Sequence, residues 1–245
     1  MERLLQLGAP TAGFPRRFMK IRIEAVTNVE QEAAAARVRR EVFGTEWATE
    51  LCRIAPEDLP RANQLIARVL PEDEVVATLT LLDTTGNHTL HEKYGLPFNG
   101  IERVGRYTQM AVLKPYRGLN LPLYLLLEAR QFFVLGSFSH TWLLFRADRA
   151  MASRFCRMLD FSASPHVVPG EEGPCRVLLR AEKTHKADVA DMQTRRFLDK
   201  VRPKQLQIVR TSETAGADAA EQRNSLLRSG RPYSGFVRED EWVAH

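Results

Sequence analysis

The chain has 245 residues, 44% of them hydrophobic, with 35 basic against 30 acidic side chains and a formal charge of +5. That length and apolar share suffice for a buried core, no apolar run reaches the span of a membrane helix, and the opening Met1-Glu-Arg-Leu-Leu-Gln6 lacks the form of a secretory signal. The three cysteines (Cys52, Cys156, Cys175) have no metal-ligand spacing and the six histidines are scattered, so inert thiols in a reducing cytoplasm and no metal are expected.

Taken in order, residues 1–18 contain Gly8, Pro10, Gly13 and Pro15 without periodicity and read as a loose arm. Met19-Lys-Ile-Arg-Ile-Glu24 reads as a strand. The Ala-, Glu- and Arg-rich run Glu30–Phe43 reads as a helix, with Arg39 and Phe43 four apart on one face and Trp47 just beyond. Glu74-Val-Val-Ala-Thr-Leu-Thr-Leu-Leu-Asp83 is apolar and β-branched, a strand bounded by the turn residues Thr84-Thr-Gly86. A strand ending Met110-Ala-Val112 then meets Lys114-Pro-Tyr-Arg-Gly118 and an unbroken apolar run, Leu121–Leu127. Thr141–Phe145 reads as a buried strand, Met151–Phe161 as a helix and Pro174–Arg180 as the last strand. This alternation predicts a three-layer α/β domain over 19–182. Beyond it, His185–Lys200 reads as an amphipathic helix within an extension 183–204, and 205–245 as a flexible tail.

The turn after Val112 carries the chemistry. A tight turn opening a helix leaves backbone N–H groups without intrahelical partners, and the helix dipole adds to them, which makes a site for phosphate or pyrophosphate. Arg117 adds a fixed cation suited to phosphate geometry. The uninteresting alternative is an ordinary strand-to-helix connection.

The segment Val112-Leu-Lys-Pro-Tyr-Arg-Gly-Leu-Asn-Leu-Pro122 resembles the acyl-carrier-binding loop of the GNAT superfamily of N-acyltransferases, Arg/Gln-x-x-Gly-x-Gly/Ala. Arg117 matches the first position, while Asn120 and Pro122 replace the two small residues. Glu74–Asp83 is similar to a Gly-Thr-Leu-Thr-Leu strand of a GNAT subgroup, with Ala77 for Gly. Met151–Phe161 is similar to the family helix Ala-x-x-x-Tyr-x-x-x-Gly-Phe, with Cys156 at the Tyr position and Asp160 at the Gly, so the thiolate-protonating role of that Tyr does not carry over. Arg39, Phe43 and Trp47 look like the opening of acyl-homoserine-lactone synthases and of long-chain N-acyl amino acid synthases. Arg106-Tyr-Thr-Gln109 stands where the lactone synthases have Glu-x-x-Arg, which argues against lactone synthesis. The resemblance spans roughly residues 20–180.

The resemblance implies a three-layer GNAT fold, a central mixed twisted sheet flanked by helices. It also implies an N-acyltransferase that moves an acyl group from acyl-CoA or acyl carrier protein to an amine such as an amino acid; the synthase-like opening and the apolar run Leu123–Leu127 together suggest a long chain, the alternative for that run being a buried core helix. The donor thioester would lie against Met110, Val112, Arg117, Gly118, Leu119, Asn120 and Leu121, and the acceptor or acyl chain against Arg39, Phe43 and Trp47. Glu102, just before the strand, is the candidate base, its alternative being a loop carboxylate paired with Arg103 or Arg106. For Arg39, Phe43 and Trp47 the alternative is helix packing. The departures leave a second reading open, a domain that binds an acyl carrier or partner without turnover. The basic charge suits an acidic carrier protein; nucleic acid is the less favoured partner, because the Lys and Arg residues are spread and no recognition motif accompanies them.

Overall fold

The computed structural model describes residues 18–46, 61–98, 100–146, 150–169 and 174–210. The strands are β1 (Met19–Ala25), β2 (Ala62–Leu70), β3 (Glu74–Asp83), β4 (Val104–Val112), β5 (His140–Arg146), β6 (Ser162–Val168), β7 (Cys175–Ala181) and β8 (Leu206–Arg210). The helices are α1 (Val29–Glu46), α2 (His88–Lys93), α3 (Leu121–Leu135), α4 (Ala150–Leu159) and α5 (His185–Val201). The strands form one sheet in the order β6-β7-β5-β4-β3-β2-β1-β8. β4 runs parallel to β5 and β1 to β8, and every other pair is antiparallel. This is the mixed, helix-flanked sheet expected.

Helix α3 carries the crossover between β4 and β5, as a parallel pair requires. It is apolar nearly all round, and Leu121, Leu123, Leu125, Leu126 and Leu127 are each at most 2% exposed in the main core. A helix buried on all sides needs such a sequence. The run Leu123–Leu127 is therefore core and offers no wall to an acyl chain. Gly105 on β4 lets the helix approach: a Cβ there would collide with the ring of Phe133.

Two boundaries move. Leu206–Arg210, expected at the head of a flexible tail from 205, pairs in parallel with β1 from Met19↔Leu206 to Ile23↔Arg210. Leu206 and Ile208, two residues apart, bury their side chains in the core. Helix α5, expected as an extension beyond 182, also buries Leu198 in that core and packs on α4. The expected arm at 1–17 and the expected tail at 211–245 lie outside the described residues.

Helix α5 is held by charge as well. Arg130 of α3 reaches Glu182 Oε2 at 2.9 Å, Asp191 Oδ2 at 3.2 Å and Asp188 Oδ1 at 2.7 Å. Arg180 of β7 reaches Asp191 Oδ1 at 2.5 Å and donates to the Ala187 carbonyl at 3.1 Å. Thr141 of β5 donates to Glu182 Oε1, as does the Tyr107 hydroxyl of β4 at 3.4 Å. Burial, with the Glu182 charge behind it, pushes the Tyr107 pKa well up, so the hydroxyl stays a donor.

A second, smaller core gathers Tyr94, Leu96, Val104, Trp142, Val168 and Val177 beside α2. His91 lies at its edge, 2% exposed, with Nε2 3.4 Å from Thr84 Oγ1 and its ring edge-on to Phe98. Burial lowers its pKa, and the neighbouring His88 lowers it further.

Two outcomes are expected. Arg130→Met leaves Glu182 and Asp191 buried without their main partner and should cost about 3–5 kcal/mol in urea unfolding. Unfolded His91 takes its proton near pH 6.5 and folded His91 only below that, so its stabilising contribution is complete above about pH 6.5 and is lost as the pH falls from there towards the depressed folded value. Urea midpoints measured across that window should fall more steeply for the wild type than for His91→Leu.

Candidate functional site

Strands β4 and β5 pair only from Val104↔His140 to Tyr107↔Leu143. Beyond that β4 stays with β3 to Val112↔Ala77, while β5 stays with β7 to Arg146↔Cys175. The sheet thus opens as a V, and from Thr108 onward no strand among the described residues lies on the β5 side of β4. A bulge sits at this opening: Thr80 pairs with Thr108 and Thr78 with Ala111, so Gln109 and Met110 together oppose Leu79. Gln109 takes φ 50°, and its Oε1 accepts from Thr80 Oγ1 at 2.9 Å. The bulge puts irregular backbone where the half-sheets part.

The predicted turn closes the same end. A 3₁₀ turn, Lys114–Tyr116, follows β4, and the Tyr116 hydroxyl ties it to β3 by donating to Glu74 Oε2 at 3.0 Å. Burial, then Glu74, pushes the Tyr116 pKa up to about 12, so this donor persists at any physiological pH. Gly118 has φ 98° and Asn120, the cap of α3, sits in the left-handed region at φ 59°, ψ 22°. Asn is among the few side chains that tolerate that region, so the departure from Gly is absorbed. Pro122 is not absorbed, because it has no N–H. Leu123 and Tyr124 donate to the Asn120 carbonyl at 2.9 and 3.3 Å, and among the described residues the N–H groups of Gly118 and Leu121 meet no acceptor. The anion cradle at this turn is therefore sparse, two amides beside the exposed Arg117. The Arg117 Nε donates to the Val112 carbonyl at 3.1 Å, which folds the side chain back over the strand end. Leu119 and Leu121 are buried and offer backbone alone; Val112 is buried and Met110 half-buried at the bulge.

The structure brings Arg39 towards this end by another route. It is 7% exposed on α1, and its Nη1 donates to Gln64 Oε1 at 2.7 Å. Gln64 of β2 stands opposite Thr80, which bonds Gln109. A polar line thus crosses from α1 over three strands to the bulge, and sequence reasoning found only its first member. Gln64, Thr80 and Gln109 are far apart in the chain, and an uncharged side chain inside a strand gives no signal of its own. Phe43 is half-buried against the main core, so packing accounts for it. Trp47 lies outside the described residues.

Glu102 is not part of this assembly. It precedes the first residue of β4, whereas the bulge and turn lie at the far end; eight residues at roughly 3.3 Å each put it about 26 Å from Met110. A base must come within hydrogen-bond reach of the proton it takes, directly or through one water, so Glu102 is removed as the candidate. Nor does Arg103 pair with it, being held by Asp83 at 2.9 Å and by the Gly136 carbonyl. Cys156 on α4 is half-buried and burial raises its thiol pKa, which makes it a poor proton donor or nucleophile. The helix ends on Asp160 at φ 56°, a left-handed position that Gly fills without strain.

Because a Cβ on Gly118 would touch nothing, Gly118→Ala isolates backbone conformation. It should cost about 1–2 kcal/mol in thermal or urea unfolding and weaken any anion bound at the turn.

No family model matches the sequence, and no curated protein matches it. Among solved structures the chain is similar to FeeM, an N-acyl amino acid synthase from uncultured soil microbes, at a TM-score of 0.54 and 10% identity over 70% of this chain and 98% of that one. It is similar also to the CoA-dependent acyl-homoserine lactone synthase BjaI, at 0.53 and 17% over 84% and 99%. MesI, another CoA-dependent acyl-homoserine lactone synthase, matches at 0.52 and 15% over 76% and 98%. The chain has the fold of the GNAT-type N-acyltransferases.

Proposed function

We propose that this chain is an N-acyltransferase that moves an acyl group from a phosphopantetheine thioester, on coenzyme A or acyl carrier protein, to a primary amine such as an amino acid. One observation carries the reading. The V between β4 and β5, the bulge at Gln109 and Met110 and the free amides of Gly118 and Leu121 meet at one end of one strand. That arrangement suits an extended thioester with a phosphate at one end. The pyrophosphate or phosphate lies at the turn, held by the two amides, the α3 dipole and Arg117. The pantetheine arm takes the place of the missing strand along β4, and the thioester carbonyl lies at the bulge, where a backbone N–H of the Met110–Val112 segment polarises it.

The fold likeness to an N-acyl amino acid synthase supports an amine acceptor of amino-acid type, and the synthase-like opening around Arg39 supports a long acyl group. The net charge of +5 supports an acidic carrier protein as donor. A binding domain without turnover is the competing reading, favoured by Pro122, which strips one amide from the cradle.

Arg117→Glu should lose thiol release from acyl-CoA and acyl carrier protein thioesters with pooled amino acids, falling at least tenfold, with an unchanged melting temperature. Turnover unaffected by that reversal of charge removes the phosphate site. A folded wild type that binds donors but releases no thiol with any amine supports the binding domain instead.

A further inference from the structure

We propose that Glu32 of α1 receives the acceptor amine: its carboxylate holds the ammonium group and takes its proton. The inference rests on the acyltransfer reading and adds to it the group missing once Glu102 is removed. Glu32 is 4% exposed, and its Oε2 is buried with no hydrogen-bond partner. A buried carboxylate without a partner is unfavourable and calls for a ligand. The other buried acids among the described residues each face an arginine, while the half-buried Glu102, whose Oε2 likewise has no hydrogen-bond partner, lies at the other end of β4. Glu182 and Asp191 are held by Arg130 and Arg180, and Glu128 faces Arg195 at 3.8 Å.

Position agrees with chemistry. Helix α1 lies across β3 and β4. Arg39, two turns after Glu32, begins the polar line through Gln64 and Thr80 to Gln109 at the bulge. Thr78, two residues from Thr80 and on the same face of β3, is fully buried, and its Oγ1 also has no partner. Glu32 Oε2 and Thr78 Oγ1 thus lie between α1 and the strands that carry the opening, and the Nε atoms of Arg22 and Arg68 on the same side of the sheet are likewise buried without a hydrogen bond. The charged groups that share this side are Arg39 on α1, Arg22 and Glu24 on β1, Arg68 on β2 and Arg106 on β4. Glu24 is taken by Arg68 and by Gln31, so Glu32 is the carboxylate left for an incoming cation. Burial raises its pKa, which the Arg39 charge partly opposes, and a carboxylate shifted upward is a better base near neutrality.

The step balances simply. The ammonium gives one proton to Glu32, and the free amine nitrogen adds to the thioester carbonyl carbon. The C–N bond forms and the C–S bond breaks, its electron pair leaving on sulfur. A second proton passes from nitrogen to sulfur, giving amide and thiol, and Glu32 returns its proton to solvent.

The test compares wild type, Glu32→Gln and Glu32→Asp in full-length chain, using acyl-CoA as donor and the amino acids or amines that the wild type accepts. Glu32→Gln should keep donor affinity and melt no lower than wild type. It should lose roughly 100-fold or more in amine-dependent thiol release, the scale of a lost general base, and lose the acidic limb of the pH–rate profile. Glu32→Asp should recover part of the rate and that limb. Retained turnover with an unchanged profile in Glu32→Gln removes the role of Glu32 while leaving acyltransfer intact. Loss of donor affinity or stability together with rate shows a structural residue and overturns the inference in the same way. A wild type that releases no thiol with any amine removes both readings.

Discussion

The V on which the site depends has to be held at its vertex, and a buried ionic cluster does this. Arg130 and Arg180 share Glu182 and Asp191, and Glu182 accepts from Tyr107 on β4 and Thr141 on β5. Tyr107 is the last residue of β4 that still pairs with β5. One carboxylate therefore ties both strands together where they are about to separate, and its arginine partners bind α3 and β7 to the same point. Burying four such charges costs several kcal/mol each in desolvation, and only full satisfaction of their bonds repays it. The cluster comes close to that condition through carbonyl acceptors at Glu182 and Ala187 as well as the carboxylates, leaving Arg180 Nε with only an ion-pair contact to Glu182 Oε2 at 3.8 Å. Apolar packing could hold the layers as firmly, but it would not fix where along β4 the pairing stops.

The two sides of the proposed site are built from different materials. On the donor side the useful groups are main chain: a bulge, a turn with two positive φ angles and a helix terminus. Main-chain groups survive wide changes of side chain, provided that Gly or Asn stands where φ is positive and no proline removes a needed N–H. Pro122 breaks the second condition once and Asn120 meets the first. On the acceptor side the groups are side chains across α1, β2, β3 and β4, each dependent on its own identity. Acceptor chemistry is thus where this chain is free to differ from others of its fold.

Legibility in the sequence followed the range of the interactions. Glu74–Asp83 was readable to the residue because β-branched apolar runs ending in turn residues form strands wherever they lie. The turn was readable because Pro, Gly and Asn act locally. β6 was not, since Ser162–Val168 carries Pro165, which suits only an edge strand, the position it holds. β8 was missed because five residues after Pro203-Lys-Gln205 look like a tail until β1 is beside them. The ionic cluster joins residues as far apart as 107, 130, 141, 182 and 191, a pairing that no local pattern reveals.

Glu102 shows how closeness in sequence misleads. It looked like a base because it precedes the strand that leads into the loop, yet an extended strand is the arrangement that carries chain neighbours farthest from each other. Glu32 lies roughly eighty residues before the same loop and is brought towards it by a helix packed across β3 and β4. Its neighbours in sequence, Glu30 and Gln31, look no different in composition. What separates Glu32 from them is the tertiary fold: Glu30 is exposed, Gln31 is tied to Glu24 and Thr27, and Glu32 is enclosed with an oxygen left over. That buried oxygen calls for a hydrogen-bond donor or a cation, and an acyltransfer to an amine is a reaction that supplies one.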